Sequence, residues 1–194
     1  MPTAWTIAPL TADDVVEAVR AHIALQLVSY AHLADADHSR ILWESYDRRV
    51  AELTADLTEA DAARAAGEQP RTSHWVARGT HGAVVGLALT QRGTPDWERD
   101  SLGDAWTHPG VDWLLDGLYV IPEARGQRLG TRLLDAALPG NRGAYLWVIT
   151  GNERAAEFYR RHGFDFDGTT SNTGEHWGHL GMRRMVRPDG RPSA

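Results

Sequence analysis

Hydrophobic positions in the first third of the chain repeat at helical spacing. After a short apolar strand, "WTIAPL", Thr11 is suited to cap a helix, and apolar residues follow at helical spacing over 15–23. A second block with the same spacing runs from about 39 to 66 and stops near Gly67 and Pro70. The pattern therefore predicts an N-terminal strand followed by a layer of two helical blocks.

Strand-like apolar runs predict a sheet in the rest of the chain. "SHWVARGTHGAVVGLALTQ" is typical of a hairpin with its turn at 79–82. Further strands are predicted in "WLLDGLYV", "AYLWVIT" and "EHWGHLGMRRMV", with helices in "RLGTRLLDAAL" and "NERAAEFYRRHG" between them. Segment 94–112 is polar and rich in turn formers, so we expect a long loop that is either functional or unstructured. From Pro188 onward we expect a disordered tail.

The composition indicates one soluble domain, which we expect to span residues 1–187. The chain has 194 residues, 42% of them hydrophobic. It holds no run near the roughly 18 apolar residues of a membrane span and no signal-peptide pattern, so we expect a cytoplasmic protein without a membrane partner. The absence of cysteine excludes disulfides, thiol nucleophiles and thiolate metal sites. A net charge of -6 disfavours nucleic acid as a partner and slightly favours a small cation.

The stretch "GLYVIPEARGQRLGTRLLDAAL", residues 117–138, joins a strand through a short loop to an amphipathic helix. The first turn of such a helix leaves backbone N–H groups unpaired at the positive end of the helix dipole, which suits a phosphate. Gly126 and Gly130 allow a tight turn and a close approach to a ligand. The arginines that can neutralise phosphate charge are Arg125, Arg128 and Arg132. We predict a pyrophosphate site, although a glycine pair alone would favour an ordinary strand-to-helix connection with solvated arginines.

Two common phosphate-binding loops do not fit this stretch. A nucleotide triphosphatase loop requires a lysine directly after its last glycine, whereas Gly130 is followed by Thr131 and Arg132. A dinucleotide-binding fingerprint requires G-x-G-x-x-G early in a βαβ unit and an acidic residue at the tip of the next strand. Neither feature is found at the required place, so both classes are excluded.

Together, "LYVIPEARGQRLGTRLL" and "NERAAEFYRRHGF" resemble the acetyl-CoA-binding core of the GNAT superfamily of N-acetyltransferases, whose loop runs Arg/Gln-x-x-Gly-x-Gly/Ala. The motifs lie within 113–164, and the order of elements extends the resemblance over most of the chain, least well over 37–71. It implies a mixed α/β (α+β) fold with a mostly antiparallel central sheet flanked by helices. It also implies that acetyl-CoA binds in a V-shaped splay between two strands.

The resemblance also implies which residues bind acetyl-CoA. Backbone groups of Leu118, Tyr119 and Val120 would face the pantetheine arm and the acetyl carbonyl. The loop residues that would cradle the pyrophosphate are Arg125, Gly126, Gln127, Arg128, Leu129, Gly130 and Thr131. Arg128 stands where the family usually has glycine, and we expect an arginine with ordinary helical dihedrals to serve there through its N–H. Asn152 would touch the cofactor, cap the next helix, or do both.

Acetyl transfer to an amine requires a proton acceptor for the amine and a proton donor for the departing thiolate. Tyr159 matches the tyrosine that the family places beside the sulfur, and we interpret it as the acid rather than as core packing alone. Asp116 is the candidate base, because similar family members often carry an acidic residue at this position. A polar residue at a strand edge is the alternative for Asp116, and another carboxylate or a water relay is the alternative base.

The acceptor site is predicted from charge and aromatic residues around the long polar segment. Six acidic residues and three tryptophans lie between Asp96 and Asp116. Together they could bind an ammonium group through the charge of the carboxylates and the faces of the indole rings. A solvated acidic loop is the alternative. The candidate substrate-binding residues are Trp43, Glu44, Trp97, Trp106, Asp112 and Trp113. The prediction is thus an acetyl-CoA-dependent N-acetyltransferase acting on a small cationic primary amine.

Other functions and sites remain as alternatives or are rejected. A non-catalytic acyl-CoA sensor and a protein N-terminal or lysine acetyltransferase are the alternative functions, and a homodimer is one candidate assembly. No metal site is predicted, since His176 and His179, three apart on a predicted strand, would face opposite sides of the sheet. The basic run "MRRMVR" is interpreted as a solvated strand edge rather than a nucleic-acid patch.

Overall fold

A seven-stranded sheet forms the centre of the molecule, in the order β1-β2-β3-β4-β5-β7-β6. The structure, a computed structural model, describes residues 5–33, 37–174 and 179–190. The strands are β1 (Thr6–Pro9), β2 (Thr72–Arg78), β3 (Val84–Arg92), β4 (Trp113–Val120), β5 (Ala144–Ile149), β6 (Asp165–Asn172) and β7 (Gly181–Arg187). Neighbouring strands are antiparallel except for β4 and β5, which are parallel. The predicted mixed, mostly antiparallel fold is confirmed.

Helices cover both faces of this sheet. They are α1 (Val15–Tyr30), α2 (His38–Glu44), α3 (Tyr46–Ala65), α4 (Asp96–Leu102), α5 (Leu129–Ala137) and α6 (Glu153–Arg161). On one face, α1 and α3 pack over β2 and β3 through residues such as Val15, Leu57 and Leu87. On the other face, α5 and α6 enclose a second core that includes Leu134 and Tyr159.

The second helical block, predicted as continuous, is two helices. They meet at Ser45, whose hydroxyl donates a hydrogen bond to the carbonyl of Leu42 at 2.6 Å. At the predicted cap of the first helix, the Thr11 N–H and hydroxyl both donate to the carboxylate of Asp14 at 2.8 and 2.7 Å. In return the Asp14 N–H donates to the carbonyl of Thr11 at 3.0 Å, so the Thr11 hydroxyl does not itself cap the helix. One turn of 3-10 helix, Ala12–Asp14, separates this cap from α1.

Two elements were missed by the sequence pattern. Strand β6 reads "DFDGTTSN" and carries one large apolar residue, Phe166, so it lacks the alternation that marks a half-buried strand. Helix α4 lies in the segment expected to be a loop. Its seven residues are held by contacts of Glu98 with the distant strands β5 and β7, which no local pattern reveals.

The C-terminal predictions are only partly met. The last strand begins at Gly181, and residues 175–178 of the predicted strand, including His176, lie outside the described residues, as does the tail over 191–194. Asp189 lies within the expected tail, and its carboxylate accepts a hydrogen bond from the N–H of Gly143 at 2.6 Å.

The interpretation of "MRRMVR" as a solvated strand edge is wrong. Strand β7 lies between β5 and β6, and the side chains of Arg184 and Arg187 are fully buried. Arg187 donates to the carbonyls of Arg142 and His162 at 2.9 and 3.2 Å. Both guanidinium groups therefore stabilise the interior and are not available to a polyanion.

Strand β4 contains a bulge and separates from β5, and both features create an opening in the sheet. Leu89 of β3 pairs with Gly117 and Thr90 pairs with Leu115, so Asp116 is the extra residue of a β-bulge. The bulge shifts the alternation by one, which places Leu118 in the same core as Leu115. In addition, β4 and β5 pair only at their first two positions, Trp113 with Ala144 and Leu114 with Tyr145. Beyond them the two strands diverge, as the V-shaped splay requires.

Candidate active site

Two cavities approach each other from opposite sides of the diverging strands. The first, of about 770 Å³, lies between β4, β5 and the N-terminal ends of α5 and α6. The second, of about 500 Å³, lies under α1, α3 and α4. We call them the cofactor cavity and the acceptor cavity. Both are lined by the same five residues, which we call the junction: Tyr30, Leu115, Asp116, Tyr119 and Trp147.

The diverging part of β4 forms one wall of the cofactor cavity. Leu118, Tyr119 and Val120 all line it. Because β5 no longer pairs with β4 at this level, the β5-facing edge of β4 presents backbone groups that a ligand can bind. These groups are suited to a pantetheine arm and to an acyl carbonyl, which the resemblance implied.

The loop before α5 has two residues in the left-handed backbone region. Gly126 has φ of 77°, which favours glycine, and a side chain there would meet open space. Arg128, the residue before α5, has φ of 63° and ψ of 7°. The expectation that it adopts ordinary helical dihedrals is therefore wrong, and the conformation explains why the family usually has glycine at this position. Gly130 is helical, and an added Cβ would contact Phe158 at 3.4 Å.

This loop and the first turn of α5 form a site for an anion. The amides of Leu129, Gly130 and Thr131 belong to the first turn and have no carbonyl partner within the helix. The described arginines that line the cavity are Arg125, Arg128, Arg154 and Arg161. Burial and the charge of Arg154 lower the pKa of Arg125, as expected for cations gathered around an anion. These groups fit the phosphates of coenzyme A.

Two predictions for this stretch need revision, and two arginines of α6 were missed. Gln127 does not line the cavity, because its side chain donates to the carbonyl of Glu123 at 2.6 Å. Arg132 is exposed and also lies outside the lining. Arg154 and Arg161 were missed, although both belong to the quoted "NERAAEFYRRHGF", two residues after Asn152 and Tyr159, a spacing that does not place them on the same helix face.

Helix α6 contributes the opposite wall of the cofactor cavity. The side chain of Asn152 caps the helix by accepting from the N–H of Ala155 at 3.2 Å, and it also lines the cavity. Tyr159 is nearly buried in the core, yet it lines the cavity as well. Burial, assisted by the neighbouring Tyr119, raises the pKa of Tyr159 well above its usual value, so the phenol stays protonated at neutral pH.

A buried histidine, missed by the sequence analysis, links the two helices. His162 donates from Nδ1 to the carbonyl of Phe158 at 2.8 Å, because a carbonyl can only accept. Its Nε2 therefore accepts from the hydroxyl of Thr131 at 3.1 Å when the ring is neutral. This bond ties the C-terminal end of α6 to the first turn of α5 and so orders the anion site.

Asp116, the bulged residue of β4, places its carboxylate at the junction. Solvent reaches the Asp116 carboxylate through the cleft, although the protein encloses it at the base of both cavities. Although Asp116 is exposed to solvent, partial desolvation by the protein around it raises its pKa above the usual value, with His74 and Arg49 opposing the shift. A carboxylate with a raised pKa is a better proton acceptor than an ordinary one. It can receive a proton from a group in the acceptor cavity.

A chain of hydrogen bonds along α1 leads to the junction. Arg49 donates to the side-chain oxygen of Gln26 at 3.0 Å, which leaves the amide nitrogen of Gln26 to donate to His22 Nε2 at 2.8 Å and towards the Tyr119 hydroxyl at 3.4 Å. His22 must then be neutral. Burial, followed by the charges of Arg49 and His74, lowers the pKa of His22 to about 3, in agreement. Sequence reasoning missed His22, Gln26 and Arg49, since they meet Tyr119 only through the packing of α1 and α3 against the sheet.

The acceptor cavity has one polar and one apolar wall. The polar wall, from α1, α3 and β2, includes Glu52, Asp56 and His74, and His74 pairs with Asp56 at 3.3 Å. Arg48 forms an ion pair with Glu52 at 2.7 Å at the exposed rim. The apolar wall, from β3, β4, β5, α4 and β7, includes Leu89, Leu114, Trp97, Trp147, Ile149 and Met182.

Of the predicted substrate-binding residues, only Trp97 lines the acceptor cavity. Trp113 is buried in the core beneath α5 and α6, and Trp106 packs under the guanidinium of Arg99. Asp112 is exposed, and so are Trp43 and Glu44 on α2. The structure brings none of these five to either cavity.

The acidic residues of segment 96–112 also lie elsewhere than expected. Asp96, Asp100 and Asp104 are exposed and do not line the acceptor cavity. Glu98 is fully buried and pairs with Arg184. The carboxylates that do face the cavity come from α3 and from the β4 bulge.

Comparison with known proteins agrees with this geometry. Residues 70–165, about half of the chain, match a family model described as "Acetyltransferase (GNAT) domain". No curated protein sequence matches the chain. None of the described residues forms a helix long and apolar enough to cross a membrane.

Solved structures of acetyltransferases share the fold. The PaiA N-acetyltransferase of Thermoplasma acidophilum, in complex with coenzyme A, has a TM-score of 0.64 at 15% identity, covering 95% of this chain and 99% of its own. A GNAT-family acetyltransferase of Streptococcus pneumoniae has a TM-score of 0.61 at 16% identity, covering 96% and 100%. The histone acetyltransferase HPA2 and related acetyltransferase of Corynebacterium glutamicum gives 0.53 at 24% identity, covering 100% of both chains.

The sheet order, the diverging strands and the anion loop define an acyl-CoA-dependent transferase. The chain belongs to the GNAT superfamily of acetyltransferases, and acetyl-CoA is its acetyl donor.

Proposed function

We propose that this enzyme acetylates the primary amine of a small cationic molecule by direct attack on the thioester of acetyl-CoA. The observation that carries the proposal is the position of Asp116. Its carboxylate lines both cavities at the junction, where an amine from one side would meet an acetyl group from the other.

Asp116 at the junction and Tyr159 in the cofactor cavity can perform the two proton transfers. Acetyl-CoA supplies the reactive thioester. Asp116 accepts a proton from the amine as the new N–C bond forms. Backbone N–H groups of Leu118 to Val120 stabilise the negative charge that develops on the carbonyl oxygen. Tyr159 donates its proton to the sulfur as the C–S bond breaks, and solvent then restores both protonation states.

Charge and size favour a small cation as the acceptor. Asp116, Glu52 and Asp56 bring three carboxylates to the acceptor cavity. The described lining also includes Arg48, which is paired with Glu52, and Arg49, which donates to Gln26, while His22 is neutral. The carboxylates therefore exceed the arginines by one. A cavity of about 500 Å³ is within the range of about 300–1,000 Å³ that is common for small-molecule sites. A protein N-terminus or a lysine side chain remains the competing acceptor, and a sensor that only binds acyl-CoA remains the competing function for the intact site.

A panel of acceptors tests the proposal. Purified enzyme is incubated with acetyl-CoA and, separately, with small primary amines, a peptide with a free N-terminus and a lysine-containing peptide with a blocked N-terminus. CoA release and the product mass are measured. We expect N-acetylated small amines, with a KM that rises with salt because exposed charges are screened over about 8–10 Å. Transfer to peptides alone, or acetyl-CoA binding without transfer to any acceptor, would overturn the proposal.

A further inference from the structure

We infer that the acceptor carries an aromatic or apolar body next to its amine, that Trp97 and Trp147 bind this body, and that Glu98 positions the two rings. The inference rests on the proposed function, which it narrows to a substrate class. Trp147 was not among the sequence candidates, and Glu98 was considered only as one of the acidic residues that could bind an ammonium group. The three residues form one structural unit on α4 and β5.

The two tryptophans form a continuous aromatic surface from the junction into the acceptor cavity. Trp147 on β5 belongs to the junction, so its indole lies where the reacting amine must arrive. Trp97 on α4 lines only the acceptor cavity, and its ring centroid is 6.1 Å from that of Trp147, with the ring planes at 60°. Aromatic rings at this separation favour further aromatic or apolar contact. A ligand body beside the amine would therefore lie along both rings.

Glu98 fixes this surface in place. Its buried carboxylate accepts hydrogen bonds from the Trp147 indole N–H at 3.3 Å, from the Tyr145 hydroxyl at 3.0 Å and from Arg184 at 3.4 Å. Because Trp97 is the preceding residue on α4, the same bonds hold Trp97 over Trp147. Glu98 thus acts through the two rings and is a positioning residue, not a catalytic one.

Strands β5 and β7 extend this wall with apolar side chains. Ile149 and Met182 are paired across these strands and line the cavity, beside the neighbouring pair of Trp147 and Arg184. A hydroxyl placed against such a wall loses its hydrogen bonds to water and gains none from the protein. Sugar-like amines with many hydroxyls are thus disfavoured relative to amines with a ring or hydrocarbon body.

The polar wall of the acceptor cavity explains why the acceptor would be a cation although its body is apolar. The carboxylates of Glu52 and Asp56 lie on α3 and that of Asp116 on the β4 bulge, whereas the two tryptophans belong to α4 and β5. An ammonium group at Asp116 and an aromatic ring against Trp97 would satisfy both walls simultaneously. A linear diamine would satisfy only the polar wall.

The test compares three amines with four forms of the enzyme. The amines are 2-phenylethylamine, 1,4-diaminobutane and glucosamine, and kcat/KM is measured for each with wild type, Trp97→Ala, Glu98→Gln and Trp43→Ala. Trp97 and Trp43 are comparably exposed, at 40% and 45%, but Trp43 lies outside both cavities, which makes Trp43→Ala a matched control. Wild type should prefer 2-phenylethylamine by at least about tenfold. Trp97→Ala should abolish most of that preference, and Trp43→Ala should leave it unchanged.

Glu98→Gln separates positioning from general damage. If Glu98 positions the rings, the variant lowers the preference for 2-phenylethylamine, and adding Trp97→Ala lowers it little further. If Glu98 only stabilises the fold, kcat/KM for all three amines falls by the same factor, and the positioning role is refuted. A wild-type preference for 1,4-diaminobutane or glucosamine refutes the substrate class while leaving the proposed function intact. If acetyl-CoA binds but none of the amines in either panel is acetylated, the proposed function fails, and the inference fails with it.

Discussion

Replacing Glu98 by glutamine removes the buried negative charge to which Arg184, Tyr145 and Trp147 all donate hydrogen bonds. Removing one partner of a buried ion pair commonly costs about 3–5 kcal/mol, because the other charge is left uncompensated. Here Arg184 keeps a second carboxylate, Asp167 at 2.7 Å, and the amide oxygen of glutamine can still accept from Tyr145. We therefore expect a smaller loss in the free energy of unfolding, about 2–3 kcal/mol.

Thermal unfolding checks this value. For a chain of this size, about 1 kcal/mol corresponds to 2–4 °C, so Tm should fall by about 4–12 °C. Tyr145→Phe removes one hydrogen bond from the same carboxylate and should cost about 1 kcal/mol. Glu44→Gln breaks a solvent-exposed pair with Arg40 and should leave Tm nearly unchanged. Equal shifts for Glu98→Gln and Glu44→Gln would refute the account of the buried network.

Three further predictions concern the cofactor site and its surroundings. Arg128→Gly removes the strain of a left-handed backbone, about 1–3 kcal/mol, and adds about 0.5–1 kcal/mol of chain entropy to the unfolded state, so Tm should stay the same or rise. In the control Arg125→Gly, where φ is negative, only the entropy changes and Tm should fall. An equal fall in Tm for both variants would contradict the strain at Arg128. Tyr159→Phe should lower kcat by about 10²-fold with little change in CoA affinity, and unchanged turnover would exclude Tyr159 as the acid. Because the pKa of His22 is lowered to about 3, the unfolded chain alone takes up this proton between pH 6.5 and 3, and stability falls as pH falls. His22→Gln should flatten Tm against pH over that range, and an unchanged slope would show that His22 is not responsible.

The cofactor side of the site could be predicted from the sequence because its parts are contiguous. The strand, loop and helix of 117–138 carry the free amides, Gly126 and two of the four cavity-lining arginines in one run of the chain. Backbone conformation was harder to predict, since the left-handed dihedrals of Arg128 result from the turn that the whole loop must make. Because arginine is common in helices, strands and loops, its presence at position 128 gives no local signal of a left-handed backbone.

The acceptor side could not be predicted because its residues are far apart in sequence. His22, Asp56, His74 and Trp147 come from four elements that meet only after the sheet has formed. The acidic segment 96–112 was misleading for the same reason. Its exposed carboxylates face solvent, and the one that matters, Glu98, is neutralised by Arg184, 86 positions along the chain.

The pH dependence of turnover in Asp116→Asn tests the central claim most directly. If Asp116 is the base, kcat of wild type falls as pH falls through its raised pKa, and the variant loses most of its turnover together with that acidic limb. The raised pKa means that folding disfavours the ionised carboxylate, so stability that is present below the unfolded pKa is lost as pH rises through the folded pKa. At neutral pH the variant should accordingly be at least as thermally stable as wild type while nearly inactive. Full turnover of a stable Asp116→Asn variant with the same acidic limb would contradict the account.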